Sequence, residues 1–101
     1  MAKFHNYFVY ILACADGSYY TGVTSDLDGR LYEHNNGCDM KSYTFFRRPL
    51  ILKYAGHFHH IEDAIAFEKQ VKGWSRKKKE ALFQEDWNEI VRLAKIRNSS
   101  K

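Results

Sequence analysis

Apolar and aromatic residues run without interruption from Tyr7 to Leu12, and a second such run spans Ser18 to Thr24, the pattern of strands covered on both faces. The Asp16-Gly17 step between them predicts a hairpin, and its loop length decides which side chains share a face. A two-residue turn sets Tyr10 opposite Val23 and sends Tyr10 and Tyr20 to opposite faces. A three-residue loop (Ala15, Asp16, and Gly17 left-handed as in a G1 bulge) sets Tyr10 opposite Gly22 and Leu12 opposite Tyr20. Both tyrosines then share a face, beside a glycine that leaves space. Tyr10, Tyr19 and Tyr20 each carry a hydroxyl that must find a partner if buried, so the hydroxyls are either tied off structurally or needed.

A helix follows, with Ser25 and Asp28 in capping-box spacing at its start and Asn36-Gly37 as its C-cap. Leu27 and Leu31 mark its buried edge, and Arg30 and His34 lie one turn apart on a neighbouring face. Cys38 to Arg48 reads as a polar, glycine-free surface loop running into Pro49. Leu50 to Phe58 predicts a third strand, at the sheet edge because of the proline. Three helices complete the pattern over Ile61–Trp74, Arg76–Phe83 and Asp86–Ile96, with a break at Gln84-Glu85.

On a helical wheel Ile61, Ala64, Ile65, Phe67 and Val71 form one apolar arc, and Glu68 falls inside it. A carboxylate there costs several kcal/mol, on the order of the usual burial penalty, unless it is paired or binds a cation. Lys72, four residues on, offers the structural partner; a metal-ligand carboxylate at the floor of a cleft is the functional alternative. Arg30 has ordinary partners in Glu33 and Asp26, and the helix dipole alone would favour His34. His57, His59 and His60 have no second ligand pair at a zinc spacing, and Asp26, Asp28 and Gly29 lack the downstream glutamate of a calcium loop.

With 101 residues, 45% of them apolar, the chain suffices for one core and not for two. The net charge of +4 favours a polyanionic partner. Arg76 to Lys79 are four consecutive basic residues that wrap a helix axis, which makes them a non-specific phosphate-contacting surface. Cys14 and Cys38 form no disulfide framework and no C-x-x-C pair, and no apolar run approaches a membrane span or a signal-peptide core. Reduced thiols and a cytoplasmic location are expected.

Taken together, FVYIL, YYTG, RLYEHNNG, FRRP and AIAFEKQVKGWSRKKKEAL resemble the GIY-YIG nuclease superfamily, in particular its small single-domain bacterial members, from Tyr7 to Phe83. Phe8-Val9-Tyr10 and Tyr20-Thr21-Gly22 align with the two triplets that name the family: both tyrosines match, while the first glycine and the central isoleucine of each do not. The resemblance implies an α+β fold, a three-stranded antiparallel sheet flanked by helices, and reinforces the three-residue hairpin loop. It implies a nuclease domain over residues 1–84, with residues 85–101 as a C-terminal helix and tail packed on it or trailing it. Tyr10, Tyr20, Arg30, His34 and Glu68 become the catalytic set, converging on one face, with Glu68 holding Mg²⁺ or Mn²⁺ and no small-molecule cofactor. Tyr10 is then the candidate general base, its pKa lowered by the cation and Arg30. The asparagine many family members use beyond the glutamate has only Asn88 as a counterpart, twenty residues on.

The expected partner is DNA, branched or damaged forms included, contacted by Arg47, Arg48, Lys72, Arg76, Lys77, Lys78 and Lys79. The expected activity is metal-dependent endonucleolytic cleavage or nicking. The alternative is a non-catalytic nucleic-acid-binding module that keeps the nuclease fold.

Overall fold

The structure, a computed structural model, describes residues 5–99, with side chains described as far as Ala94. Strands β1 (Tyr7–Ala13), β2 (Tyr19–Thr24) and β3 (Ile51–Phe58) form one antiparallel sheet in the order β2-β1-β3. Helix α1 (Leu27–Asn36) follows β2, a 3₁₀ turn at Phe45–Arg47 precedes β3, and α2 (Ile61–Lys72), α3 (Arg76–Phe83) and α4 (Trp87–Ser99) complete the chain. This is the α+β architecture implied by the resemblance.

The central strand explains the unbroken apolar run: Val9, Tyr10, Ile11 and Leu12 are all buried. On one face Tyr10, Leu12, Cys14 and Leu50 pack with Tyr20, Leu27 and Leu31. On the other, Ile11 packs with Val71, Ala81, Leu82 and Ile90, with Phe67 and Trp74 beside them. Side chains alternate along a strand, so the two cores are separated by the sheet itself. Helix α1 therefore serves one face and α2 to α4 the other.

The hairpin has the three-residue loop. Cys14 N–H donates to Ser18 O at 2.8 Å and Gly17 N–H to Cys14 O at 3.0 Å, with Gly17 at φ +86°. Asp16 holds the turn by accepting from Ser18 N–H and Oγ. The resulting register sets Tyr10 against Gly22 and Leu12 against Tyr20, and the two tyrosine rings lie 6.3 Å apart on one face. Gly22 is required by that closeness, because a Cβ there would stand 2.6 Å from Tyr10 Oη and 2.7 Å from its Cζ. Gly22→Ala must push a ring that is only 1% exposed, at a cost of about 1–3 kcal/mol. A fall in Tm of roughly 5 °C or more is expected in a thermal melt followed by circular dichroism.

Four expectations need correction. Asp26, not Ser25, caps α1: its Oδ1 accepts from Gly29 N–H at 3.1 Å. Ile61 and Ile65 leave the buried arc, each 36% exposed. At about 100° per residue they lie on the far side of Glu68 from Ala64 and Val71, which centre the packed face. The segment after α1 is not simply a surface loop, since Thr44 within it is 1% exposed. Its end is anchored to the hairpin, where Arg47 O accepts from Ala15 N–H and Arg47 Nε donates to Asp16. Helix α2 also stops at Lys72, with Gly73 as its C-cap, short of Trp74.

Candidate active site

Helix α1 lies across the Tyr10 face and carries Arg30 and His34 one turn apart. His34 is buried between two hydroxyls: Nε2 is 2.9 Å from Tyr10 Oη and Nδ1 is 2.8 Å from Thr44 Oγ1. Ser42 Oγ lies 3.1 Å from the Thr44 hydroxyl. The ring of Tyr20 meets that of His34 edge-on at 5.3 Å and stacks on Tyr43 at 6.0 Å with 22° between planes. The Arg47 guanidinium sits 3.8 Å from the centre of the Tyr43 ring. The Tyr10 hydroxyl is thus tied off by a buried histidine, itself tied off by a buried threonine.

Burial pushes the Tyr10 phenol up to about 12 against the opposing pull of the Arg30 guanidinium, so a phenolate base there would depend on the metal for its lowering. Burial also lowers His34, with the Arg30 charge acting the same way, so its neutral form is favoured. The neighbouring Tyr10 hydroxyl holds the Arg30 guanidinium more firmly protonated than usual. Arg30 also pairs with Glu33 at 3.5 Å, the ordinary partner expected of it. A pocket of about 210 Å³ opens beside this group, lined by Arg30, His34, Gly37, Cys38, Ser42 and Thr44 among others.

Glu68 reaches the site from the opposite side of the sheet. It lies on α2, whose Phe67 and Val71 pack on the Ile11 face, so the set does not share one face. Its charge is nonetheless felt at the Tyr10 hydroxyl. Its side chain is only 14% exposed and pairs through Oε2 with Lys72 Nζ at 3.3 Å, the structural partner weighed from sequence. Among the described residues no group of three or more His, Cys, Asp and Glu side chains could enclose a metal. A single largely sheltered carboxylate fits an ion that takes its remaining oxygens from water and a phosphate, as Mg²⁺ does.

The basic residues divide by what they touch. Arg47 and Arg48 are held by the backbone: Arg47 Nη1 donates to Tyr43 O, and Arg48 donates to Phe45 O and Asn35 O. Arg76 donates to Gly17 O, pairs with Glu80 and covers the ring of Tyr19. Lys78 lies over Trp74, and Lys77 borders a groove between α3 and α4. Lys72 and Lys79 come together with Tyr19, Tyr20, Thr21 and Tyr43 along the edge of β2. Asn88 is exposed on α4. Thr44 and Tyr43 were missed from sequence. Only the two polar residues flanking Tyr43 inside a glycine-free loop distinguish them, and neither has helical or strand periodicity.

A small helix-flanked antiparallel sheet with paired tyrosines, an arginine and histidine one turn apart, and a remote glutamate defines a GIY-YIG-type domain. The GIY-YIG catalytic domain matches residues 6–81, and the chain belongs to that family, one of DNA nucleases that generally use divalent metals. A UPF0213 protein of Bacillus pumilus is 46% identical over 81 residues, 80% of this chain and 82% of that relative. The solution NMR structure of the UPF0213 protein BH0048 from Bacillus halodurans is 44% identical, with a TM-score of 0.52 over 78% of this chain and 83% of that one. That of EF2693 from E. faecalis is 36% identical, with a TM-score of 0.56 over 82% and 85%.

Proposed function

We propose that this chain is a divalent-metal-dependent endonuclease or nicking enzyme that hydrolyses DNA phosphodiester bonds, acting in the cytoplasm in DNA repair or processing. The observation that carries this reading is the buried hydrogen-bonded line from Tyr10 through His34 to Thr44, with Arg30 one turn from His34 on α1. A purely structural tyrosine needs one hydrogen-bond partner, not a buried imidazole that a buried threonine in turn holds.

With Tyr10 held neutral, its oxygen accepts a proton from the attacking water as its own proton passes to His34 Nε2. That transfer requires the His34 tautomer protonated on Nδ1, which Thr44 Oγ1 favours by accepting from it. His34 is thus the base and Tyr10 the relay. Arg30 neutralises charge growing on the phosphoryl oxygens, and Tyr20 orients the water. Bound at Glu68, Mg²⁺ or Mn²⁺ would polarise the phosphate and stabilise the leaving oxygen.

The Glu68–Lys72 pair favours the second reading, a module that binds nucleic acid without cleaving it. Incubation of supercoiled plasmid with the chain in Mg²⁺ or Mn²⁺, against an EDTA control, separates the two. The nuclease reading predicts metal-dependent nicking. It also predicts that Arg30→Ala nicks roughly a hundredfold to a thousandfold more slowly, the usual loss for one transition-state donor, while still retaining DNA in a gel-shift assay. Binding with no nicking in any metal would leave only the module.

No helix among the described residues is long and apolar enough to cross a membrane.

A further inference from the structure

The groove along the outer edge of β2 has a volume of about 390 Å³ and is lined by Tyr19, Tyr20, Thr21, Tyr43, Lys72 and Lys79. It adjoins the catalytic group without coinciding with it: Tyr20 borders both, and Lys72 is the ion-pair partner of Glu68. Three features of the groove call for an anion. Lys72 from α2 and Lys79 from α3 bring two ammonium groups to one depression. The Lys79 ammonium is destabilised by burial and then by the charge of Arg76, both of which a bound anion would offset. Thr21, 4% exposed, carries the one buried side-chain oxygen without a partner among the described residues, and a hydroxyl in that position gains from any acceptor.

The same walls argue against base stacking. The Tyr43 ring already carries Tyr20, stacked at 6.0 Å, and the Arg47 guanidinium at 3.8 Å. The Tyr19 ring carries Arg76 at 4.3 Å and meets Phe83 edge-on at 5.1 Å. The groove therefore offers charge and hydroxyls, which recognise a phosphate, and no free aromatic platform, which would recognise a base.

We propose that this groove is a phosphate subsite holding the nucleic-acid phosphate next to the scissile one, with Lys72 and Lys79 taking its charge and the Thr21 hydroxyl donating to one of its oxygens. The identity of that phosphate rests on the nuclease reading; the binding of a phosphate group does not. A subsite of this kind fixes the register of a strand on the enzyme and contributes no sequence preference.

The test uses inorganic phosphate titrated into the full chain, followed by NMR at the Thr21 amide and the Lys79 ammonium. A saturable shift at both positions is expected, about tenfold weaker in affinity in Lys79→Met, which keeps the apolar stem. Thr21→Val should weaken binding and Thr21→Ser restore it; if Thr21→Val does not fold, Lys79→Met decides alone. Shifts that fail to saturate, or that appear equally at Lys77 and Lys78, would overturn the subsite. In cleavage, Lys79→Met should raise the KM for DNA more than it lowers kcat. Saturable phosphate binding by a chain that cleaves nothing supports the subsite while refuting the nuclease reading. Cleavage with KM unchanged in Lys79→Met refutes the subsite and leaves the nuclease reading standing.

Discussion

Tyr10→Phe is expected to fold and to lose between about a hundredfold and ten-thousandfold in cleavage rate, the range spanned by positioned proton transfer. The ring stays in place against Gly22 and Tyr20, so the sheet register survives. What disappears is the oxygen bonded to His34 Nε2 at 2.9 Å, the proposed relay between the attacking water and that imidazole. The pH profile distinguishes this from a packing defect. With His34 as the base, the wild-type rate rises with pH as its imidazole loses its proton and levels off above that. Burial and Arg30 lower the His34 pKa, placing the rise below the ordinary histidine value near 6.5. Tyr10→Phe should show a flat, low profile across the same range. A rise centred far above neutrality in the wild type would instead identify Tyr10 phenolate as the base, against the upward push that burial gives it.

The same lowering has a consequence for stability. A histidine whose folded pKa lies below its unfolded value binds fewer protons in the native state, so stability falls as pH drops from the unfolded value near 6.5 and levels off below the folded one. Thermal melts from pH 7 to pH 5 should show this decline, reduced in His34→Gln.

Glu68→Ala is expected to abolish Mg²⁺-dependent cleavage, with no recovery at modest metal excess, because it removes the proposed protein ligand. Its fold should be little affected. Alanine is a good helix residue, and Lys72, 55% exposed, gives up an ion pair worth at most about 1 kcal/mol in solvent. Calorimetric titration with Mn²⁺ should show a site in the wild type and none in the variant. Equal Mn²⁺ affinity in the two would move the metal elsewhere.

The hairpin was legible from sequence because two local facts agree: the Asp16-Gly17 step permits few loops, and only one of them places Tyr10 against a residue small enough to admit its ring. The helices were legible from periodicity, with shifts of one or two residues at Asp26 and Lys72 where neighbouring residues compete as caps. Glu68 was legible as an anomaly, yet not the side from which it approaches, since wheel position says nothing about which face of a sheet a helix covers. Ile61 and Ile65 failed for a related reason: a helix short of cover on one flank leaves apolar residues exposed. Thr44 and Tyr43 had no local signature because their burial and stacking come from tertiary docking of the loop on α1 and β2. The Tyr10 acidity was beyond sequence too. Arg30 and burial push in opposite directions, and only the packed structure decides which wins.

The decisive comparison is nicking of supercoiled plasmid in Mg²⁺ by wild-type, Glu68→Ala and Tyr10→Phe proteins, each first shown to be folded by circular dichroism. Expected are nicking by the wild type that EDTA stops, none by Glu68→Ala, and a trace without pH dependence by Tyr10→Phe. Nicking at the wild-type rate by both variants would contradict this mechanism, and place any cleavage outside the Tyr10–His34–Arg30–Glu68 site.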